Sequence, residues 1–582
     1  MNDLPAKPPK ETGKPPIPPR RLLPGWLTWG MLLLLLAFVL LFQVGSHWIE
    51  AGGIDEAAGN LATYAAAIVA AITLWAWFSF RSTYPLLLRL GVMALGIVAA
   101  VGLIRSIRLD GITGNWIPTG VRMAWQPARD YQLAKPPQTV SVSTTPEQAS
   151  PALPLETIAA TPNDFPQFLG PTRDGRLPDA QLSSDWEANP PQIVWRQPVG
   201  AGWAGFAVVA DRAVTLEQYG NEEHITCRNL ESGKVIWSHA VPARHDEFMG
   251  GVGPRSTPAI YESKVYTVGA TGVVTCLELS NGQLVWRDDL RARYFANLAD
   301  PKARDAADLK FVMWGRATSP LVYGDLCIVP AGGTPAKSLI DGKPGIVPAG
   351  GIPAKSLIAY DRLTGNKRWE GGDTQISYAS PTVLTITGKE QIVSVNENNI
   401  TGHDPTTGEQ QWAYEWPGHS SMNASASQPH LLDDNRLFIS KGYDEGAAVF
   451  QVAELGGEYR TETLWKQKRL LQTKFSNAVI VDGFAYGLSD GVMQCVDLAQ
   501  GKQMWKAGRY GHGQILAAGD VILVQTEKTG ELVMLAIDSQ HHRELGRVKT
   551  LSTQSQAWNN LCLAGNKLLV RNADEAVCLE LP

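Results

Sequence analysis

The stretch Asp404-Pro-Thr-Thr-Gly408-Glu-Gln-Gln-Trp412 decides the fold, because its frame returns along the chain. An acidic or amide residue, three residues, Gly, three residues and Trp stand also at Asn229–Gly233–Trp237, Glu278–Gly282–Trp286, Asp361–Gly365–Trp369 and Asp497–Gly501–Trp505. Six positions before each Gly lies a small residue: Cys227, Cys276, Ala359, Gly402 or Cys495. Gly supplies a turn conformation with positive φ, and an Asp or Asn side chain bonds the turn backbone. The Trp then covers apolar area. Between these turns run short alternating stretches such as Lys264–Val268 and Val273–Leu277. Units of about 40–45 residues with this make-up are propeller blades of four antiparallel strands, A to D, with the Trp on strand D.

Working outward, Trp195 and Trp465 fit the same column without the full frame. Successive Trp lie 40 to 53 residues apart, except for 83 between Trp286 and Trp369. That gap holds a near-perfect duplication, Ile328–Ile340 repeated as Ile346–Ile358, and a polar stretch from Arg291 to Lys310. It therefore reads as one blade with two insertions. A degenerate D strand around Leu545–Val548 brings the count to eight. Three strands then remain at the end (about Trp558–Leu563, Lys567–Arg571 and Ala576–Leu581), and one, Ile193–Val199, precedes the first full blade. Three plus one completes an eighth blade and leaves no strand edge free. The expected fold is all-β, an eight-bladed propeller over residues 166–582.

Residues 1–25 carry eight Pro and five basic residues and read as a solvated cytoplasmic tail. Apolar runs at 27–44, 61–80 and 86–104 are each long enough to span a bilayer, giving an anchor of three transmembrane helices over 26–105. The first run is too long for a signal peptide and does not exit through small residues. Arg89 interrupts the third run, where its side chain is expected to snorkel, and the Ala-rich face of the second (Ala65–Ala67, Ala70, Ala71) is suited to helix packing. Five basic residues before the first run place the N-terminus inside, and an odd number of spans places the propeller outside. Residues 106–165, rich in Pro, Ser and Thr, read as a linker. The net charge of -5 over 582 residues gives no footprint for nucleic acid. Six Cys without a CxxC exclude a disulfide scaffold, and four of them (Cys227, Cys276, Cys495, Cys578) hold equivalent structural positions in strand C.

The Asp-x3-Gly-x3-Trp column resembles that of the pyrroloquinoline-quinone (PQQ)-like β-propeller repeat family, and Asp164-Phe-Pro-Gln-Phe-Leu-Gly-Pro-Thr-Arg-Asp-Gly175 is similar to the lead-in of its bacterial extracytoplasmic branch. The resemblance covers about residues 162–582 and implies eight blades on the periplasmic side of a bacterial inner membrane. It implies one of two functions. One is a non-enzymatic scaffold, similar to the propeller of the outer-membrane assembly machine, that binds an envelope protein or glycan and needs no cofactor. The other is a quinoprotein dehydrogenase using PQQ with calcium to oxidise an alcohol or sugar. The adjacent Cys pair of many such dehydrogenases is absent, and no cluster of carboxylates and amides stands out for calcium. These features favour the scaffold.

Convergent chemistry in a propeller is expected where the loops meet at the channel mouth. The loops leading into the eight A strands supply Trp203, Arg255, Arg316, Tyr378, Asn423, Lys474, His512 and Trp558 as ligand-binding candidates for an anionic or polyhydroxylated ligand. The B-strand exits on that face add Glu217, Gln218, Glu397, Asn398, Lys441, Asp444, Asn572 and Asp574. Packing of Trp203 and Trp558 on neighbouring blades is the competing expectation. His541-His542 read as surface residues, and His245-Asp246-Glu247 as a weak cation candidate.

Overall fold

The computed structural model describes residues 23–48, 56–112, 118–137, 157–334, 339–340, 343–344, 352–420, 423–433 and 435–582. The tail up to residue 22, the middle of the linker (138–156) and the centre of the 328–358 duplication lie outside the described residues. Two compact units divide at Gln126/Pro127.

The first unit contains helices α1 (Trp26–Trp48), α2 (Glu56–Arg81) and α3 (Leu86–Ser106). Within them, Gly59–Arg81 and Leu86–Ser106 are long and apolar enough to cross a membrane, whereas the apolar stretch Trp26–Leu41 is shorter. The expectation of three membrane-spanning helices thus reduces to two that meet the requirement. Arg89 Nε donates to the carbonyl of Ser79 at 2.8 Å, tying α3 to the end of α2. The helices also meet where Gly96 leaves room for the Trp75 indole, 2.3 Å from where a Cβ would sit. In the Ala-rich stretch only Ala66 is fully buried; Ala65, Ala67 and Ala71 are exposed. The stretch 106–165, expected to be a plain linker, holds a hairpin of Ile107–Ile112 with Pro118–Met123, pinned by an Arg122–Asp110 ion pair. It also holds a helical turn at Arg129–Gln132.

The second unit is the eight-bladed propeller. Seven blades are built from consecutive strands, and the eighth takes Cys562–Ala564, Lys567–Arg571 and Glu575–Glu580 from the end of the chain and Gln192–Pro198 from before the first blade. Trp558 therefore precedes the first of these strands rather than starting it. The long Trp286–Trp369 gap is one blade. Leu326–Gly332 pairs with Lys355–Asp361, so the outer parts of the duplication form strands B and C and its centre is an insertion between them. The Arg291–Lys310 insertion holds two short helices, Leu290–Tyr294 and Pro301–Leu309.

The blade motif has a physical basis in the packing between blades. Each Trp faces the small residue of strand C across the ladder: Cys227 opposite Trp237, Cys276 opposite Trp286, Ala359 opposite Trp369, Gly402 opposite Trp412, Cys495 opposite Trp505. The indole then reaches the turn of the next blade. Trp237 Nε1 donates to the carbonyl of Leu279 at 2.8 Å and Trp369 Nε1 to that of Pro405 at 3.1 Å. Gly408 has φ +75°, and a Cβ there would lie 2.3 Å from the Trp369 ring, so both the turn and the stacking require Gly. Asp404 closes the same turn by accepting from the N–H groups of Thr406 and Thr407. Two sites depart from the pattern. Trp412 donates instead to Gln391 Oε1 at 2.6 Å, because the next blade replaces the short turn with a long hairpin of Gly446–Leu455 and Glu458–Gln467. In the degenerate seventh blade Gly546 stands opposite Met534, and Trp186, from outside the repeat, packs over it.

Residues 163–183 run along the downstream ends of the A strands. Gly565 N–H donates to Asn163, Phe165 bridges Val208, and Ile260 N–H donates to Pro166. Arg173 donates to the carbonyls of Ser319 and Pro320, and Arg176–Leu177 pairs in parallel with Ala517–Ala518. The segment touches blades eight, one, two, three and seven in turn, and so covers one mouth of the channel with the chain's own lead-in. Phe165, 1% exposed, is its deepest anchor.

Candidate functional site

The loops that enter the A strands lie at the other mouth. Four of the eight candidates form an arc with Phe475 and Glu527. The Trp203 and Trp558 rings lie 4.7 Å apart, Trp558 and Phe475 5.3 Å, and Phe475 and His512 5.4 Å. Glu527 ties the arc together: one carboxylate oxygen accepts from Trp558 Nε1 at 2.9 Å, the other from the His512 backbone N–H at 3.0 Å. Lys474, adjacent to Phe475, sits 3.8 Å from Asp490. Trp203 is 8% exposed and donates its indole N–H to the carbonyl of Gly250 in the following blade's loop, so it packs as well as lines. Trp558 and Phe475 are half-buried. Aromatic pairs at these separations add about 0.5–1.5 kcal/mol each beyond area burial, which stiffens the arc.

The cations expected to face a ligand are largely engaged within the protein. Arg316 is fully buried, paired with Asp308 of the inserted helix at 2.5 Å and bonded to the carbonyl of Ala331. Arg255 donates to the carbonyls of Gly250, Gly251 and Gly253, and burial pulls its guanidinium down to about 10. Lys441, 1% exposed, donates to the carbonyl of Pro417, and burial lowers its ammonium to about 8. Tyr378 donates to the carbonyl of Ser420 at 2.8 Å, and burial raises its phenol. Asn423 pairs by its backbone with His419, while its side-chain oxygen is buried without a partner.

The B-strand exits are structural in the same way. Glu217 is fully buried within 3.0 Å of Arg228; burial pushes its carboxyl up, but Arg228 and Arg571 more than offset this and hold it below its usual range. Arg571 crosses from blade eight to the carbonyls of Gly200 and Leu216 in blade one. Gln218 donates to Gly220 and Ala243, and Glu397, its carboxyl raised by burial, accepts from Ser420 N–H. The Asn398 carbonyl accepts from Trp416, Asp444 N–H donates to Gln472, and Asn572 Oδ1 caps Asp574 and Glu575. Asp574 pairs with Arg129 at 3.0 Å. Residues 129–135 are strapped to this rim by that pair together with Asp130–Arg244 and Lys135–Glu222.

The three residues at 245–247 do not converge: Asp246 pairs with Arg244, Glu247 accepts from Met249 and Gly250, and His245 is buried elsewhere. His541 is exposed, but His542 bonds the Tyr510 hydroxyl at 2.8 Å and is not a plain surface residue. All six Cys are buried and free. Among the described residues no group of three or more His, Cys, Asp or Glu is placed to hold a metal ion. Phe475 and Glu527 were not singled out from sequence. Their signal lies in their positions: Phe475 follows Lys474 in an A-strand loop, and Glu527 follows the B strand Val521–Gln525.

A family model described as outer membrane protein assembly factor BamB matches residues 187–299 and 221–507. Over 85 residues, 14% of this chain, the sequence is 29% identical to the outer membrane protein assembly factor BamB of Kangiella koreensis, and the match spans 22% of that relative's length. Among solved structures, BamB from Moraxella catarrhalis superposes with a TM-score of 0.45 at 15% identity, covering 67% of this chain and 100% of that one. A europium-containing methanol dehydrogenase does so with a TM-score of 0.41 at 11% identity, covering 72% and 98%.

Proposed function

Because this chain belongs to the PQQ-like propeller family of the outer membrane protein assembly factor BamB, we propose that it is a membrane-anchored, extracytoplasmic binding scaffold for an envelope protein or glycan. The observation that carries the reading is the arc of Phe475, His512, Trp558 and Trp203 at the mouth that the lead-in leaves uncovered. Half-buried aromatic rings on a rigid rim suit the apolar anchor of a partner or the face of a sugar. Lys474 beside them adds a cationic group, while Glu527, buried and bonded to Trp558 and His512, fixes the arc in place. In this reading the helices of the first unit hold the propeller to the inner membrane; the basic residues before the first helix keep that end inside, and the propeller lies on the periplasmic side if Trp26–Leu41 crosses together with Gly59–Arg81 and Leu86–Ser106.

The quinoprotein dehydrogenase alternative fits this mouth poorly. The carboxylates of PQQ need free cations, and Arg316, Arg255 and Lys441 already spend their N–H groups on Asp308 and on backbone carbonyls. A calcium ion needs converging oxygen ligands, and Glu217 and Glu397 are committed to separate internal partners.

The test is site-specific photo-crosslinking in intact membranes, with the photoreactive residue at Phe475 and, as control, at the exposed Lys389 at the turn between the first two strands of blade four. An adduct of defined mass at Phe475 and none at Lys389 supports the mouth as the binding surface. Adducts only at Lys389 would move the function to the lead-in side of the propeller. For the glycan arm, Trp fluorescence of the purified chain is followed against peptidoglycan fragments.

A further inference from the structure

On the side of the propeller covered by the lead-in lies a cavity of about 420 Å³, roofed by residues 172–176 and floored by the A strands and turns of blades four, five and six. This is within the range of small-molecule sites, roughly 300–1,000 Å³. Its walls are mixed. Leu384, Leu431, Ile480 and Leu498 make an apolar side, and Arg173, Arg176 and His430 a polar one.

Three polar groups there lack partners. His430 is 7% exposed, and its Nε2 is buried with no hydrogen bond. The Nε of Arg173 is likewise buried and unpaired, although its other nitrogens hold Gln167, Ser319 and Pro320. The Arg176 guanidinium makes no hydrogen bond or ion pair among the described residues. A buried donor left unpaired carries the full cost of its desolvation; this holds for His430 Nε2 and Arg173 Nε, and the half-buried Arg176 lining the same cavity adds a positive charge, so the place is matched to a ligand that supplies the missing acceptor. The nearby acids do not fill that role. Asp174 spends Oδ1 on Thr172 and on the Arg176 backbone N–H, and Asp482 lies in the turn on the far wall. Arg436 is paired with Asp433. Burial draws the His430 imidazole down to about 4, so it is neutral near pH 7 and offers one N–H rather than a second charge.

We propose that this cavity is a binding site for a small monocarboxylic acid, its carboxylate held by Arg176 and His430 Nε2–H and its apolar body against Leu384, Leu431, Ile480 and Leu498. Two carboxylates lining the same space disfavour a dianion such as phosphate. The apolar side disfavours an ion with no hydrocarbon body. The site is independent of the mouth at the opposite end of the A strands, and it exists only while the lead-in is docked. A bound acid therefore clamps residues 172–176 to blades four to six.

The experiment is calorimetric titration and thermal melting of the purified full chain with hexanoate, benzoate, hexanol and inorganic phosphate. Hexanoate or benzoate is expected to bind saturably and raise the melting temperature. Hexanol and phosphate should bind at least about tenfold more weakly, the scale of one charge-assisted hydrogen bond. Arg176→Met should lose at least about tenfold in carboxylate affinity, and Arg176→Lys should retain most of it. Circular dichroism of each variant checks folding. If Arg176→Met does not fold, the ranking of the four probes on the wild-type chain still decides. Absence of saturable binding by either acid, equal binding of phosphate or hexanol, or an unchanged affinity in folded Arg176→Met would each overturn the assignment.

Discussion

Cys578 on the last strand of the eighth blade stands directly opposite Trp195 on the strand that precedes the first blade, in the same small-residue-to-indole register as five of the blades between them. Trp195 then donates its indole N–H to the carbonyl of Leu230 in blade one at 2.7 Å. Closure of the ring is thus made by the ordinary blade contact. Deleting residues 192–198 or 575–582 leaves a two- or three-stranded remnant with open edges on both sides. Either deletion is expected to aggregate or to lose cooperative unfolding, as followed by light scattering and by melting with two probes. Soluble, cooperative melting of either truncated chain would overturn this account of closure.

The inter-blade docking predicts a contrast between two glycines. Gly388 has φ +73° and open space around a Cβ, so Gly388→Ala should cost only the backbone strain, about 1–2 kcal/mol. Gly408→Ala bears that strain and also meets the Trp369 ring. It is expected to cost about 1–3 kcal/mol more, as overpacking does, and to change Trp fluorescence. Denaturant melts of the two variants give the comparison, and equal losses would show that the ring does not depend on this stacking.

Glu223 is 2% exposed and accepts from Ala270 N–H; burial pushes its carboxyl up to about 7, against the pull of Arg291 and Arg255. A carboxyl whose pKa rises on folding binds its proton more tightly in the folded state. Its contribution is full below the unfolded value, about 4.5, and is lost as pH rises through about 7. The difference in stability between the wild-type chain and Glu223→Gln should therefore shift in favour of the variant between pH 5 and pH 7.5. A difference that stays constant over that range would contradict the raised pKa.

At the mouth opposite the lead-in, Trp203 and Phe475 should separate packing from binding. Trp203 is buried against Gly250 and Trp558, so Trp203→Ala should cost about 3–5 kcal/mol of stability, as large core truncations do. Phe475 is half-buried, and Phe475→Ala should cost less while removing the crosslinking partner or sugar response. If Phe475→Ala keeps the full response, the arc is scaffolding for the rim and the contact surface lies elsewhere.

Membrane topology is tested by reporters active only in the periplasm. A fusion after Arg129 should be active and one after Arg81 inactive if all three helices cross. Inactivity after Arg129 with activity after Arg81 would mean that only Gly59–Arg81 and Leu86–Ser106 cross, or that the N-terminus lies outside. Activity at both sites would mean that Leu86–Ser106 does not cross.

The repeat was readable because the turn, the Gly and the Trp act within one blade interface, and local spacing records them. What was hidden depends on segments far apart in the chain. Trp186 fills the seventh blade from outside the repeat, so its role has no periodic signature. Arg316 stood correctly in its loop, but its charge is consumed by Asp308 on an inserted helix, which strand alignment does not report. The lead-in was visible as a motif. Its path across the channel mouth was not, because each of its contacts is with a different blade. In the membrane unit, hydropathy located the helices, but the Arg89–Ser79 contact follows from how two helices pack, which composition does not encode.

The pairing of Gln192–Pro198 with Glu575–Glu580 also bears on how the molecule is made. The strand that seals the ring is synthesised before the seven uninterrupted blades, and its partner only after them. Until then the growing chain carries an unpaired strand near one end and an open sheet edge at the other. Pairings so distant in sequence are slow to form, and exposed edges in that interval favour misassembly between neighbouring chains. Fastening of residues 163–183 across blades one to three, which are made early, holds the waiting strand close to the site it will occupy.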